Sequence, residues 1–338
     1  MHLEVLKNVI SDSELLAQGY RFYDGYVFTA IRHPANVFDA ILLRNPLSAR
    51  RFGDRGEESS HSLSEHIEYI NKYRIDKAII IADDISFLAQ CPTLKHINII
   101  PSITARDNFD YSPLYALPGI QSLRCSTKYG KFDEKNSTMD YSLVCGLEDL
   151  CVSTQNDENF QRIPTLKKLS VSNYNSSDLR DLVCSEELDT LELNSCSIRT
   201  LDGIETAPKM QCLYLSYNRR LQDISRLDEV KKTLKALRIQ KCGKISDFSV
   251  LAQLENLEYL FLEGSNSIPS LNFVNSLPNL KTLIVNMEVK DGDLTPCLNL
   301  SYVHCGRIHK HYNVKAHDLP KGVYYRGNEN IEVWRRVP

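Results

Sequence analysis

Met210-Gln-Cys-Leu213-Tyr-Leu215-Ser-Tyr-Asn218 and, one unit further on, Leu234-Lys-Ala-Leu237-Arg-Ile239 share a pattern, Leu-x-x-Leu-x-Leu with apolar replacements. The spacing recurs at Leu166, Leu169 and Val171, at Leu188, Leu191 and Leu193, at Leu257, Leu260 and Leu262, and at Leu280, Leu283 and Val285. Successive starts lie 22 to 24 residues apart, a self-similarity that decides the fold before any single element does. Looser copies precede these at Leu94, Ile97 and Ile99, at Ile120, Leu123 and Cys125, and at Leu147, Leu150 and Val152. Leu300, Val303 and Cys305 form a last one, and Ile79 and Ile81 mark a weak first, giving about ten turns.

In Leu-x-Leu, buried and polar positions alternate, which is the period of a short strand with one buried face. Cys196, Asn218 and Cys242 follow three such strands where the chain must bend, and a small side chain there satisfies loop backbone or packs without strain. Apolar residues then recur every three positions, as in Ile245, Phe248, Leu251 and Leu254, and turn inward on the returning side. One unit buries only a stripe, so stability has to come from stacking neighbours.

With Leu213-Tyr-Leu215-Ser-Tyr-Asn218 and Ile245-Ser-Asp-Phe248-Ser-Val-Leu251-Ala-Gln-Leu254-Glu-Asn-Leu257, the chain resembles the bacterial leucine-rich repeats of the internalin type, related to the 22-residue class. The resemblance covers roughly residues 76–306 and departs where the units between 94 and 147 lengthen to 26 and 27 residues, and where the bend Asn becomes Cys or Ser. It implies an α/β solenoid: a leucine-rich repeat arc with a parallel sheet on its concave face, capped at both ends. It also implies binding, and seldom catalysis. The expected organisation is an N-terminal α/β cap over 1–75, repeats over 76–306 and a C-terminal hairpin cap over 307–338. In the first cap, strand-like segments surround Tyr20 to Ile31 and Val37 to Leu43, and a helix runs near Leu63 to Tyr73 with Ser62 or Ser64 as its cap. In the last, Val323-Tyr-Tyr325 and Ile331-Glu-Val-Trp334 read as a hairpin.

At 338 residues the chain exceeds the ~250–300 at which a single compact core stops growing, which again favours two domains or an elongated array. A net charge of -3 removes the broad positive field of non-specific nucleic-acid binding. No apolar stretch approaches the ~20 residues of a membrane helix, and the first twenty residues lack a basic leader with a continuous apolar segment. The expectation is therefore a cytoplasmic protein that binds neither nucleic acid nor membrane. None of the ten cysteines is spaced Cys-x-x-Cys, so reduced thiols are expected. Gly-x-Gly-x-x-Gly, Walker, His-Glu-x-x-His and Gly-x-Ser-x-Gly motifs are absent, leaving His33 and Asp39 as a faint pair. No enzyme activity, catalytic residue or cofactor is expected. His304, Cys305, His309, His311 and His317 cluster near the end, but their spacing matches no established zinc pattern, so no metal is expected either.

Period 2 names what the open sheet displays. The central column reads Glu192, Tyr214, Arg238, Phe261, Ile284, His304, flanked by Cys212, Ala236, Tyr259, Thr282 and Tyr302 before it and by Gln240, Glu263 and Asn286 after it. Exposed aromatics and Arg are the side chains of protein-binding hot spots. The expected partner-binding set is Glu192, Tyr214, Arg238, Tyr259, Phe261, Glu263, Ile284 and Tyr302, engaging a folded protein. The competing expectations are that a chain end folds over this patch, that the protein is a host-directed effector exported without a cleaved leader, and that a terminal segment holds metal-dependent or catalytic chemistry.

Overall fold

A computed structural model describes residues 22–23, 26–27, 40–44, 63–74, 76–82, 84–101, 109–125, 139–153, 157–182 and 185–324. Of these, residues up to Phe160 form one compact unit and those from Gln161 onward another. The pair His33 and Asp39, Ser62 and the residues of the expected hairpin from Tyr325 onward lie outside the described residues.

In the first unit, β1 (Phe22–Tyr23) and β2 (Tyr26–Val27) pair antiparallel. Strand β3 (Ala40–Arg44) and helix α1 (Leu63–Tyr73) lead into β4 (Lys77–Ala82). Because β3 and β4 are parallel, with Ala40 opposite Lys77, a crossover is required, and α1 provides it. The helix lies where the sequence places it and buries Ile70 and His66 while Ile67 is half-buried. The repeat sheet therefore begins one strand before the expected boundary at 75/76. Strands β5 (His96–Pro101), β6 (Ser122–Cys125) and β8 (Asp149–Ser153) continue it in parallel. Short β7 (Met139–Asp140) and β9 (Asp157–Glu158) pair separately.

The second unit stacks β10 (Lys168–Ser172), β11 (Thr190–Asn194), β12 (Cys212–Ser216), β13 (Ala236–Gln240), β14 (Tyr259–Ile268), β15 (Thr282–Val289) and β16 (Tyr302–Cys305), all parallel and in chain order. Leu169, Leu191, Leu213, Leu237, Leu260, Leu283 and Val303 fall in one register column and are all buried, as the Leu-x-Leu reading requires. The apolar period of three on the returning side is that of a 3₁₀ helix. Short 3₁₀ turns occur there at Ile204–Thr206, Ser225–Val230, Ser249–Gln253, Asn272–Ser276 and Thr295–Cys297. Three of them open with an Asp-x-Ser/Thr turn: the Ser225, Ser249 and Thr295 amides donate to Asp223, Asp247 and Asp293 at 2.8, 2.8 and 2.9 Å.

Two features shape the bends. Asn173, Ser195, Tyr217 and Lys241, each directly after a strand, take left-handed backbone with φ between 56° and 60°. The next residue in all four of these turns, Tyr174, Cys196, Asn218 and Cys242, is buried. Asn218, fully buried, accepts the Cys196 N–H at 2.8 Å and donates to the Leu193 carbonyl at 3.0 Å. Cys196 and Cys242 make the corresponding weaker donations, to Val171 O at 3.6 Å and Leu215 O at 3.7 Å. Burial pushes both thiols up to about 11, so they stay protonated and inert at neutral pH. After β13 the pattern changes. β14 and β15 run on for ten and eight residues, with a register shift between Glu263 and Ser267.

The last strand's edge is covered. Val303 N–H donates to Pro320 O, Gly322 N–H to Ser301 O and Lys321 Nζ to Val303 O, at 2.9, 2.9 and 2.8 Å. Two cysteine placements differ from the sequence reading. Cys212, expected on display, is buried, and Cys305, expected inside, is only half-buried. Cys125 is buried and Cys151 half-buried.

Candidate functional site

The sheet face opposite the leucines in the second unit brings the expected residues side by side. Glu192 pairs across to Tyr214, Tyr214 to Arg238, Arg238 to Phe261, Phe261 to Ile284 and Ile284 to His304. In the preceding column Cys212, Ala236, Tyr259, Thr282 and Tyr302 are neighbours, and in the following one Gln240, Glu263 and Asn286. Strand parity sets this arrangement, because each residue between two buried leucines faces the other way.

Display is uneven along the row. Glu192 is exposed, and Tyr214, Arg238, Phe261, Glu263 and Tyr302 are half-buried. Tyr259 and Ile284, expected on the open surface, are only 6% and 8% exposed. They form an apolar cluster with Cys212 and Ala236, on which Tyr214, Phe261 and Tyr324 pack. Size is consistent with this burial: Cys212 and Ala236 are small, and the larger Tyr259 and Ile284 close by pack with them into one cluster. Tyr324, from the segment that has just sealed the sheet edge, adds the rest. Its ring stands edge-on to Tyr302 at 5.1 Å and to Tyr259 at 6.2 Å, with the Tyr324 and Tyr259 hydroxyls 3.5 Å apart. Chain covering this patch was one of the readings open in the sequence, and Tyr324 supplies part of it.

The polar members are held in place. The Arg238 guanidinium lies over the Phe261 ring, 4.6 Å from its centroid, and donates to Gln240 at 2.5 Å. Its buried Nε finds no hydrogen-bond partner, so the group has an undischarged donor on this face. Burial alone would raise the Glu263 carboxyl, but Gln240, Lys241 and Asn286 outweigh it and hold the group below its ordinary value, with Lys241 Nζ at 3.3 Å. Burial pushes the Tyr214 hydroxyl upward, assisted by the nearby Cys212, Glu192 and Tyr259. Glu192, by contrast, is exposed and accepts a hydrogen bond from the Ser170 hydroxyl at 3.3 Å. The face thus offers one exposed carboxylate, one fixed guanidinium and an aromatic platform.

The five histidine and cysteine positions near the end do not converge. His304 stands on the sheet opposite Ile284, Cys305 opposite Val285, and His317 beside Asp318 at 3.4 Å. Only His309 and His311 are adjacent, with ring centroids 5.7 Å apart.

Stacked parallel strands in 22- to 24-residue steps, with leucines in register and 3₁₀ returns, define a leucine-rich repeat protein. Leucine-rich repeat-containing protein 56 of Homo sapiens is 33% identical over 181 residues, covering 52% of this chain and 28% of that protein. ATP synthase subunit s, mitochondrial, of Mus musculus is 30% identical over 92 residues, covering 27% of this chain and 44% of that protein. The chain thus spans less than half the length of the curated relatives it matches. Among solved structures, an internalin of Listeria monocytogenes (inlF) overlaps 71% of each chain with 20% identity and a TM-score of 0.47. No family model matches the chain. No described helix is long and apolar enough to cross a membrane.

Proposed function

We propose that the chain is a protein-interaction module that recognises a folded protein through the sheet face of its second unit, inside the cell, as an inhibitor, immunity protein, regulatory subunit or scaffold. The leucine-rich repeat fold is in general an interaction module. The observation that carries the finer reading is the row Glu192–Tyr214–Arg238–Phe261. It is contiguous and accessible at one end, and it is ordered in advance by the Arg238 contacts to Phe261 and Gln240. A side chain already held in its binding geometry loses less conformational entropy on docking.

Tyr214 and Phe261 pack on the Tyr259 cluster, so truncating them disturbs the fold as well as the surface. The cleaner test uses the exposed member and the fixed cation. Glu192→Lys and Arg238→Ala are expected to weaken capture of the partner at least tenfold, ~1.4 kcal/mol. The unfolding midpoint of Glu192→Lys should stay at the wild-type value. Affinity capture from native lysate with mass spectrometry identifies the partner, and titration of that partner reads the loss. Undiminished capture by both variants would move the contact elsewhere.

A specific observation favours a partly masked form of the same face, since Tyr324 sits on Tyr259 and Tyr302. Tyr324→Ala is expected to uncover Tyr259 and strengthen partner capture a few-fold, read in the same titration. A weakened interaction would instead make Tyr324 part of the contact.

A further inference from the structure

The long β14 and β15 have a consequence at their far ends. Beyond the shift at Glu263, Ser267 pairs with Glu288, which carries Glu288 past the regular columns to an exposed position. The chain leaving β16 comes back to that same end and is clamped there. The Tyr312 hydroxyl accepts the Val289 N–H at 2.8 Å, and Asn313 donates its own N–H to Gly292 O at 3.0 Å. The Asn313 side chain accepts from Leu294 N–H at 2.9 Å and donates to Asp293 at 2.7 Å. His309-Lys-His311 is therefore presented on a braced loop, and the donor atoms of Glu288, His309 and His311 lie within 4.8 Å of one another.

The orientation of His311 is chemically informative. Its Nε2 lies 3.1 Å from the Val289 carbonyl, which can only accept, so Nε2 carries the proton and Nδ1 keeps the lone pair. A histidine whose second nitrogen donates to a backbone carbonyl has the tautomer and ring orientation that metal-binding histidines are given by their surroundings. Gly292 enforces the fit. Its φ is +69°, and a Cβ there would meet His311 Cδ2 at 2.7 Å and His311 O at 2.5 Å.

From this geometry we infer a binding site for one divalent transition-metal cation of the zinc type, held by Glu288, His309 and His311. Two imidazoles and a carboxylate suit zinc rather than magnesium or calcium, and three protein donors leave a fourth, solvent-facing position. Zinc–ligand bonds of ~2.0–2.1 Å put tetrahedral donors about 3.4 Å apart, so the three donors, now within 4.8 Å of one another, have to draw closer around the ion. Sequence spacing misses this site because Glu288 belongs to the preceding turn, while Cys305 and His317, which lie nearer the pair in sequence, point to other partners or other places.

The test is zinc titration of the full chain stripped with chelator, by calorimetry, with magnesium as control. One saturable zinc per chain is expected, with the dissociation constant raised at least tenfold in Glu288→Gln, His309→Ala and His311→Ala and unchanged in His304→Ala and His317→Ala. All five positions are on the surface or half-buried, and matching circular dichroism spectra establish that each variant folds. Absence of saturable zinc binding by the wild type overturns the assignment, as does an equal loss in His304→Ala.

Discussion

Asn218→Ala lowers the stability of the second unit by about 2–5 kcal/mol in urea unfolding, a loss large for one side chain on a bend. The value follows from what the side chain satisfies. Asn218 has no exposure, and its amide accepts from Cys196 N–H and donates to Leu193 O at once. Alanine strands a buried donor and a buried acceptor, each costing ~1–3 kcal/mol. Two further variants separate this account from simple loss of volume. Asn218→Asp keeps the acceptor and places negative charge against the Leu193 carbonyl, so it is expected to be no better than alanine. Asn218→Cys should lose less, because Cys196 and Cys242 already make the equivalent donation in the adjacent turns. A loss below ~1 kcal/mol for alanine means that water reaches these groups and the ladder is not sealed.

Gly203→Ala is expected to cost about 4 kcal/mol, from two sources of comparable size. Gly203 has φ +103°, where an L side chain is strained, and it begins the 3₁₀ turn Ile204–Thr206. A Cβ there would also lie 2.5 Å from Arg180 N and Leu179 C, and 2.8 Å from Arg180 Cα. These are backbone atoms, and Leu179 N–H is itself bonded to Asp202 O at 2.7 Å, so the neighbouring turn has little room to retreat. Gly243→Ala is the matched control. Its Cβ would meet only Ser265 Oγ, at 3.9 Å, and it is expected to be near neutral. Equal losses at the two positions would show that general chain entropy, and not close approach of stacked turns, sets the cost. Both variants also report on function. If stacking fixes the sheet face, Gly203→Ala weakens partner capture without touching a surface residue.

What was legible in the sequence depended on whether the determining contact repeats. The inward leucines repeat every turn, so their column, the strand parity and the inward-turning apolar residues of the returning side follow from spacing, while the structure shows those returns to be 3₁₀ turns. The Asp-x-Ser/Thr turns at Asp223, Asp247 and Asp293 are also a spacing in the sequence, but short polar pairs carry little weight beside leucines. The left-handed residues Ser195, Tyr217 and Lys241 were not readable, since none is glycine and the stack, not the residue, imposes the conformation. The row Glu192 to Phe261 was placed correctly in register, whereas the exposure of Tyr259 and Ile284 was not.

By itself, then, the sequence determined which side chains face inward and which face the other way, because alternation along a strand is a local property of the backbone. Only the tertiary structure decided which outward side chains stay in solvent. That depends on Cys212 and Ala236 being small across neighbouring strands and on Tyr324 arriving 65 residues after Tyr259. It alone joined Glu288 to His309 and His311, through a register shift that no repeat period contains. Contacts between unlike turns are set by packing of distant segments, and a pattern that describes like turns has no means of recording them.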